Sequence, residues 1–371
     1  MLRSIKKTYN FNLILFLVMI YLFLASFLFA TEFDLPVINI KYRQIILISL
    51  FAILLFSTIF WINKRIRFNF FLLFSFILTL YFLISAFIQK MGINSISNSL
   101  YFFIFACLAY NFGEIKSKKV FNVAVTAFIL AFSMLYYIYV IKTPKLMGDE
   151  AVNSIYYLVC TIPILLMIWN KLAICVLSIP IIFIVCISGK GTAVLMLVAC
   201  LLVLLVLAVA RRSKFPATII FVLLFMLGVI ALLFVNESIF QEQSSGRLEI
   251  WSDVKTLYAN GNPIQKLFGF GYWSVSKYTV SGYSAHSDYL EVLFDFGIIG
   301  FVIYILMIVA LMYYAIKMYL DNSLYYKPFI VALIFFIVLS FSSHIILLPR
   351  YVALLAFTFG YCLRCYKGEK E

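Results

Sequence analysis

Twelve apolar stretches, most of them near the length of a membrane-crossing helix, decide what this chain can fold into. They lie at about 11–30, 44–62, 68–89, 98–113, 120–141, 153–169, 172–187, 193–210, 217–235, 289–316, 328–346 and 348–363. Crossing the hydrocarbon core takes about 20 apolar residues in a helix. In lipid every backbone N–H and C=O must be satisfied internally, so only helices and closed barrels span. Hydrophobic residues make up 65% of the chain and charged residues 12%, against about 25% charged in a soluble domain. A soluble fold of this length has nowhere to put so much apolar surface. The expectation is an all-α, polytopic integral membrane protein. It is one membrane domain over 1–371, with about twelve transmembrane helices.

The basic residues give that domain an orientation. Arg3, Lys6 and Lys7 precede the first stretch, and the apolar run to Ala30 is too long for a signal-peptide core. Lys64, Arg65 and Arg67 follow the second stretch, and Lys116, Lys118 and Lys119 the fourth. Arg211, Arg212 and Lys214 follow the eighth, and Arg364, Lys367 and Lys370 end the chain. With twelve crossings all these clusters share one face, which the positive-inside rule makes cytoplasmic. The +14 balance is then a topology signal rather than a nucleic-acid footprint. Residues 236–288 become a long extracytoplasmic loop between helices 9 and 10.

That loop is too long to be a mere connection, since most are a few residues. Ile250, Trp251, Val254, Leu257 and Tyr258 recur at helical spacing. Ser244, Ser245 and Gly246 supply start signals, and Asn260, Gly261 and Pro263 stop signals. The spacing predicts a short amphipathic helix over about 246–259, lying on the outer face of the bundle or membrane.

Arg247 falls in the first turn of that helix, where free N–H groups favour anions, and a guanidinium fork suits a diphosphate. As a lone surface arginine it would mean little. Lys190, in Ser188-Gly189-Lys190-Gly191-Thr192, is a second outside cation. It either snorkels to the interface or binds phosphate, and its surroundings do not make a Walker A loop. His286 is the natural proton acceptor, unless it serves only to enter the next helix. Asp288, Glu291 and Asp295 share one helix face at i, i+3 and i+7. Acids there are costly and are expected to orient His286 or pair with Lys190. His344 and Arg350 bracket a turn expected at the same face. Trp251 and Tyr283 are the loop aromatics placed to support the site or stack on a sugar. None of the seven cysteines sits in the loop, and Cys362-Leu-Arg-Cys365 has no second pair. No metal site is expected.

The string Arg247…Trp251…Leu267-Phe268-Gly269-Phe270-Gly271…Ala285-His286-Ser287-Asp288-Tyr289-Leu290-Glu291…Phe296-Gly297-Ile298-Ile299-Gly300 resembles the O-antigen polymerase and ligase superfamily over about 188–300. The family has Ser-Arg where this chain has Ser188-Gly189-Lys190, and often Asn where it has Ser287. Lysine keeps the charge but loses the fork. The resemblance implies a metal-independent, cofactor-free, inverting membrane glycosyltransferase of the C-type fold. It would sit in a bacterial inner membrane with its site facing the periplasm or cell exterior. The donor would be an undecaprenyl-diphosphate-linked oligosaccharide, the surroundings the lipid bilayer, and a partner a chain-length regulator. In the roles it implies, Arg247 and Lys190 hold the diphosphate and His286 acts as base. A polymerase is the reading adopted. A ligase acting on lipid A core or protein is the alternative. A transporter or flippase for an anionic or lipid-linked substrate is the reading of another class. The absence of paired Pro/Gly breaks in matching halves weighs against it.

Overall fold

The computed structural model describes residues 20–24, 67–112, 118–142, 155–167, 171–188, 190–213, 247–343, 345–347 and 352–370. The expected crossings at 44–62 and 217–235, most of 11–30, residues 236–246 of the loop, His344 and Arg350 lie outside the described residues. The elements are α1 Phe70–Ile88, α2 Ile93–Phe112, α3 Lys118–Lys142, α4 Ile155–Val159, α5 Ile162–Leu165, α6 Lys171–Ile187, α7 Gly191–Ser213, α8 Arg247–Asn260, α9 Pro263–Phe268, α10 Ser274–Tyr278, α11 Asp288–Leu320, α12 Tyr326–Ser342 and α13 Val352–Gly368. No strand occurs among the described residues. Phe70–Ile88, Gly191–Val209 and Asp288–Leu320 are each long and apolar enough to cross a membrane.

Eight expected stretches each contain one helix. The sixth stretch, 153–169, does not: it is broken into α4 and α5 around Cys160 and Thr161. Pro163 in the first turn of α5 lacks the N–H that a continuous helix would need. The break is tolerated because residues 155–165 are all buried inside the protein. Irregular backbone at membrane depth is viable only in such places.

The bundle closes through small residues and aromatic edges. α13 lies along α2, and α1 packs on both α2 and α11. A Cβ on Gly360 of α13 would collide with the Ala106 carbonyl of α2, so only glycine permits this approach. Phe71, Phe102, Phe336 and Phe359 tie α1, α2, α12 and α13 together, with ring centroids 5.6–6.2 Å apart. Edge-on aromatic pairs at such distances add about 0.5–1.5 kcal/mol beyond burial.

α11 is kinked at Gly297, where φ is 64° and ψ −169°. The kink frees carbonyls, and the protein supplies their donors. Phe270 N–H reaches Phe294 O and Gly271 N–H reaches Asp295 O, both at 2.9 Å. The Tyr81 hydroxyl of α1 lies 3.2 Å from Phe296 O and 3.1 Å from Phe268 O. The Phe268-Gly269-Phe270-Gly271 run is thus a buckle that fastens the loop to the kink. Phe270 stacks on Phe294 at 4.3 Å, so its half-buried ring is engaged by the protein.

Gly297 has a conformation open essentially to glycine alone, and a Cβ there would strike the Leu267 carbonyl. Gly297→Ala is expected to cost at least about 2 kcal/mol. It should lower the thermal unfolding midpoint of the detergent-purified protein by several degrees. An unchanged midpoint would show that the kink does not depend on glycine.

Candidate active site

Residues 247–296 form a platform with a core of its own. Ile250 and Val254 of α8 bury against Val275, Ala285 and Phe294, with Trp251, Leu257, Tyr258, Phe270 and Leu290 around them. The expected amphipathic helix over 246–259 is α8, Arg247–Asn260. Its apolar face closes this small core rather than lying free. α9 begins in a capping box in which Asn262 and Gln265 exchange hydrogen bonds at 2.8 and 3.0 Å.

The platform holds His286 by the peptide before it. Ala285 N–H donates to Glu291 Oε1, and Trp251 Nε1–H donates to Ala285 O, each at 2.6 Å. Ala285 is wholly buried. Held on both sides, the chain passes through His286 in the left-handed region, at φ 50°. Non-glycine residues adopt that region only where surroundings over-determine it. The imidazole is left half-buried at the head of α11.

Two cations act on that imidazole. Arg247 is the first residue of α8. Lys190 immediately precedes α7, and its carbonyl accepts from Ala193 and Val194 N–H at 3.0 and 3.2 Å. Both cations therefore stand at helix N-termini, where the helix dipole adds to their charge. Burial first, then the charges of Arg247 and Lys190, push the His286 pKa down from 6.5 to about 4. The imidazole is neutral at pH 7. Arg247 Nε is buried and meets no acceptor among the described residues. An uncompensated buried guanidinium nitrogen is costly, and an anion would satisfy it.

Tyr156 is a member of this group that sequence reasoning missed. Its ring lies under Lys190 Nζ, 5.8 Å from the centroid. Its hydroxyl is hydrogen-bonded to the side chain of Thr192, and Arg247 acts on it electrostatically. The signal lay in the α4–α5 segment, where Pro163 marks a broken span and so a place for non-lipid chemistry.

The three acids bind backbone N–H groups, and Glu291 bears on His286 through one of them. Asp288 Oδ1 accepts Ile346 N–H at 3.0 Å, and its Oδ2 lies 3.3 Å from the Tyr304 hydroxyl. Asp295 accepts from Trp273, Ser274 and Val275 N–H at 2.8, 2.9 and 3.2 Å, capping α10. Glu291 acts on His286 through the Ala285 peptide rather than on its ring. All three are fully buried and serve as anchors for backbone leaving the helical ladder. Trp251 is likewise part of the clamp. Tyr283 is two-thirds exposed, available to solvent or ligand. His344 and Arg350 fall outside the described residues, but the adjoining turn at 345–347 is the one tied to Asp288. Among the described residues no cluster of three metal-ligating side chains occurs.

The O-antigen ligase family model matches residues 173–305. The match covers a little over a third of the chain and includes Lys190, Arg247 and His286; Tyr156 precedes it. Over that segment the chain is similar to the O-antigen ligase family, whose members are glycosyltransferase-like enzymes. No curated protein matches the chain.

The electrostatics predict a pH signature. Positive neighbours disfavour the imidazolium, so removing one raises the His286 pKa back toward 6.5. If His286 must be neutral, the acidic limb of kcat/KM, which reports the free protein, should fall well below pH 6 in the native protein. Lys190→Met and Arg247→Gln should each move that limb to higher pH, alongside their loss of rate. A limb near 6.5 that neither substitution moves would contradict this electrostatic arrangement.

Proposed function

We propose that this protein is a polysaccharide polymerase of a bacterial inner membrane. It transfers a glycan from an undecaprenyl-diphosphate donor to a sugar hydroxyl of a lipid-linked acceptor at the periplasmic face. The observation that carries this reading is the convergence of Arg247 and Lys190, both at helix N-termini, on a neutral His286. All three lie within the segment that resembles O-antigen ligases. The basic clusters flanking the apolar stretches support the outward orientation.

The chemistry follows from the charges. The acceptor oxygen attacks the anomeric carbon with a lone pair, and its proton passes to the His286 imidazole. The bond from the anomeric carbon to the diphosphate oxygen breaks, and the diphosphate leaves with the electron pair. Attack from the face opposite the leaving group inverts the configuration. Arg247, Lys190 and the N-termini of α7 and α8 stabilise the negative charge that develops on the leaving oxygen. A diphosphate lying between the two cations offsets the field that holds His286 at low pKa. Donor binding thus raises the basicity of His286 when a base is required. Tyr156 holds Lys190 against the site through its ring.

A ligase reading is kept because the matching family model is described as O-antigen ligase. In that case the same donor chemistry delivers the glycan to lipid A core or to protein. Surface polysaccharide from a deletion strain separates the two on a gel. Loss of long chains, with one repeat still attached, is expected for the polymerase. Loss of all attached glycan would instead establish the ligase, and unchanged polysaccharide would remove both.

With purified protein and a lipid-linked donor, Arg247→Ala should lower turnover by ~10²–10³, the scale of losing one charge-stabilising donor. His286→Ala should lower it by ~10²–10⁴ while leaving donor binding intact. Wild-type rates in either variant, at normal protein level, would take that residue out of the reaction.

A further inference from the structure

α9 is a six-residue helix without a single buried residue. Ile264, Leu267 and Phe268, at i, i+3 and i+4, form one face and are 71%, 43% and 50% exposed. Facing water, such a helix gains nothing from its apolar face. Isolated short helices are unstable, and their stability comes from the burial of an apolar face. What lies beside it indicates what covers that face. The Tyr81 hydroxyl of α1 reaches Phe268 O, and Gln89, just past α1, donates to Phe270 O at 3.3 Å. The end of α9 therefore stands alongside the last two turns of α1. Tyr81 lies seven residues before Ile88, or about 10 Å along the axis at 1.5 Å per residue. Helical side chains lean toward the helix N-terminus, so the Tyr81 hydroxyl points away from the Ile88 end. Over the same interval α1 turns Ile84, Phe87 and Ile88 outward, at 56–76% exposure. An exposed apolar strip of this kind on a membrane-spanning helix suits lipid.

We propose that α9 is an interfacial foot: its Ile264–Leu267–Phe268 face rests in the outer leaflet as a continuation of the lipid-facing strip of α1. Lys266, on the same helix, stands at the level of the phosphate headgroups, where a long basic side chain lies with its stem against apolar surface. The depth is set from the protein side. α9 ends at Gly269, whose backbone is pressed against Asp295 and Phe296 at the kink of α11. The foot therefore fixes the height of the α8–α10 platform, and with it His286, relative to the bilayer. This inference does not rest on the glycosyl-transfer reading.

Photocrosslinking tests it on the full-length protein. Ile264→benzoylphenylalanine is reconstituted in vesicles of phosphatidylethanolamine and phosphatidylglycerol and irradiated. The same substitution at Thr256, on the exposed face of α8, is the comparison. Intact mass spectrometry should show phospholipid adducts at position 264 several-fold above those at 256. A crosslinked dimer at 264 would show that a second copy covers the face. Adduct levels no higher than at 256 would show that the face meets water. Either result overturns the proposal. Ile264 packs in no core, so the substitution is expected to leave the fold intact. Its thermal midpoint, compared with the native protein, verifies this.

Discussion

Backbone that leaves the helical ladder beside lipid must find its hydrogen-bond partners within the protein. This constraint organises the region from Arg247 to Leu347. α11 meets it with three acids near its start and a glycine kink. Asp288 takes the Ile346 N–H, Glu291 the Ala285 N–H, and Asp295 three successive N–H groups at the head of α10. The kink at Gly297 returns carbonyls to the Phe270–Gly271 strand of chain. Each acid satisfies a different segment, so α11 is the post to which the rest of the platform is tied. Removing one partner would leave a buried polar group unpaired, which costs more than the bond contributes.

Function then depends on what those anchors leave over. With the three acids engaged by backbone, the charges that lower the His286 pKa are those of Arg247 and Lys190. The imidazole stays neutral, and among the described residues the guanidinium keeps a buried donor without an acceptor. A site built in this way is poised for an anion and weakly basic until one arrives. In the proposed reaction the leaving diphosphate completes the electrostatic balance.

Much of this was legible in the sequence. Apolar length marks α1, α2, α3, α6, α7, α11, α12 and α13, because lipid exposure leaves little choice of pattern. The 3.6-residue spacing of Ile250, Val254 and Leu257 marks α8 to within a residue or two. The basic clusters, taken with the resemblance, single out Lys190, Arg247 and His286, and in the structure the two cations act on the histidine. The broken segment α4–α5 reads as one span because its composition is uniformly apolar. Only Pro163 betrays the break, and with it Tyr156. The carboxylate roles were hidden for a different reason. Helical spacing places three acids on one face but says nothing about which backbone N–H groups a distant loop will bring to them. For the same reason the spacing of the Phe268–Gly271 run does not reveal that it fastens the loop to the kink of α11.

The most direct test of the account is a density map of the protein with a bound lipid-linked diphosphate. The account predicts diphosphate oxygens within hydrogen-bond distance of Arg247 Nε and Lys190 Nζ, at the N-termini of α8 and α7, with the anomeric carbon facing the His286 ring. A diphosphate held elsewhere in the bundle, with Arg247 Nε still unpartnered, would contradict it.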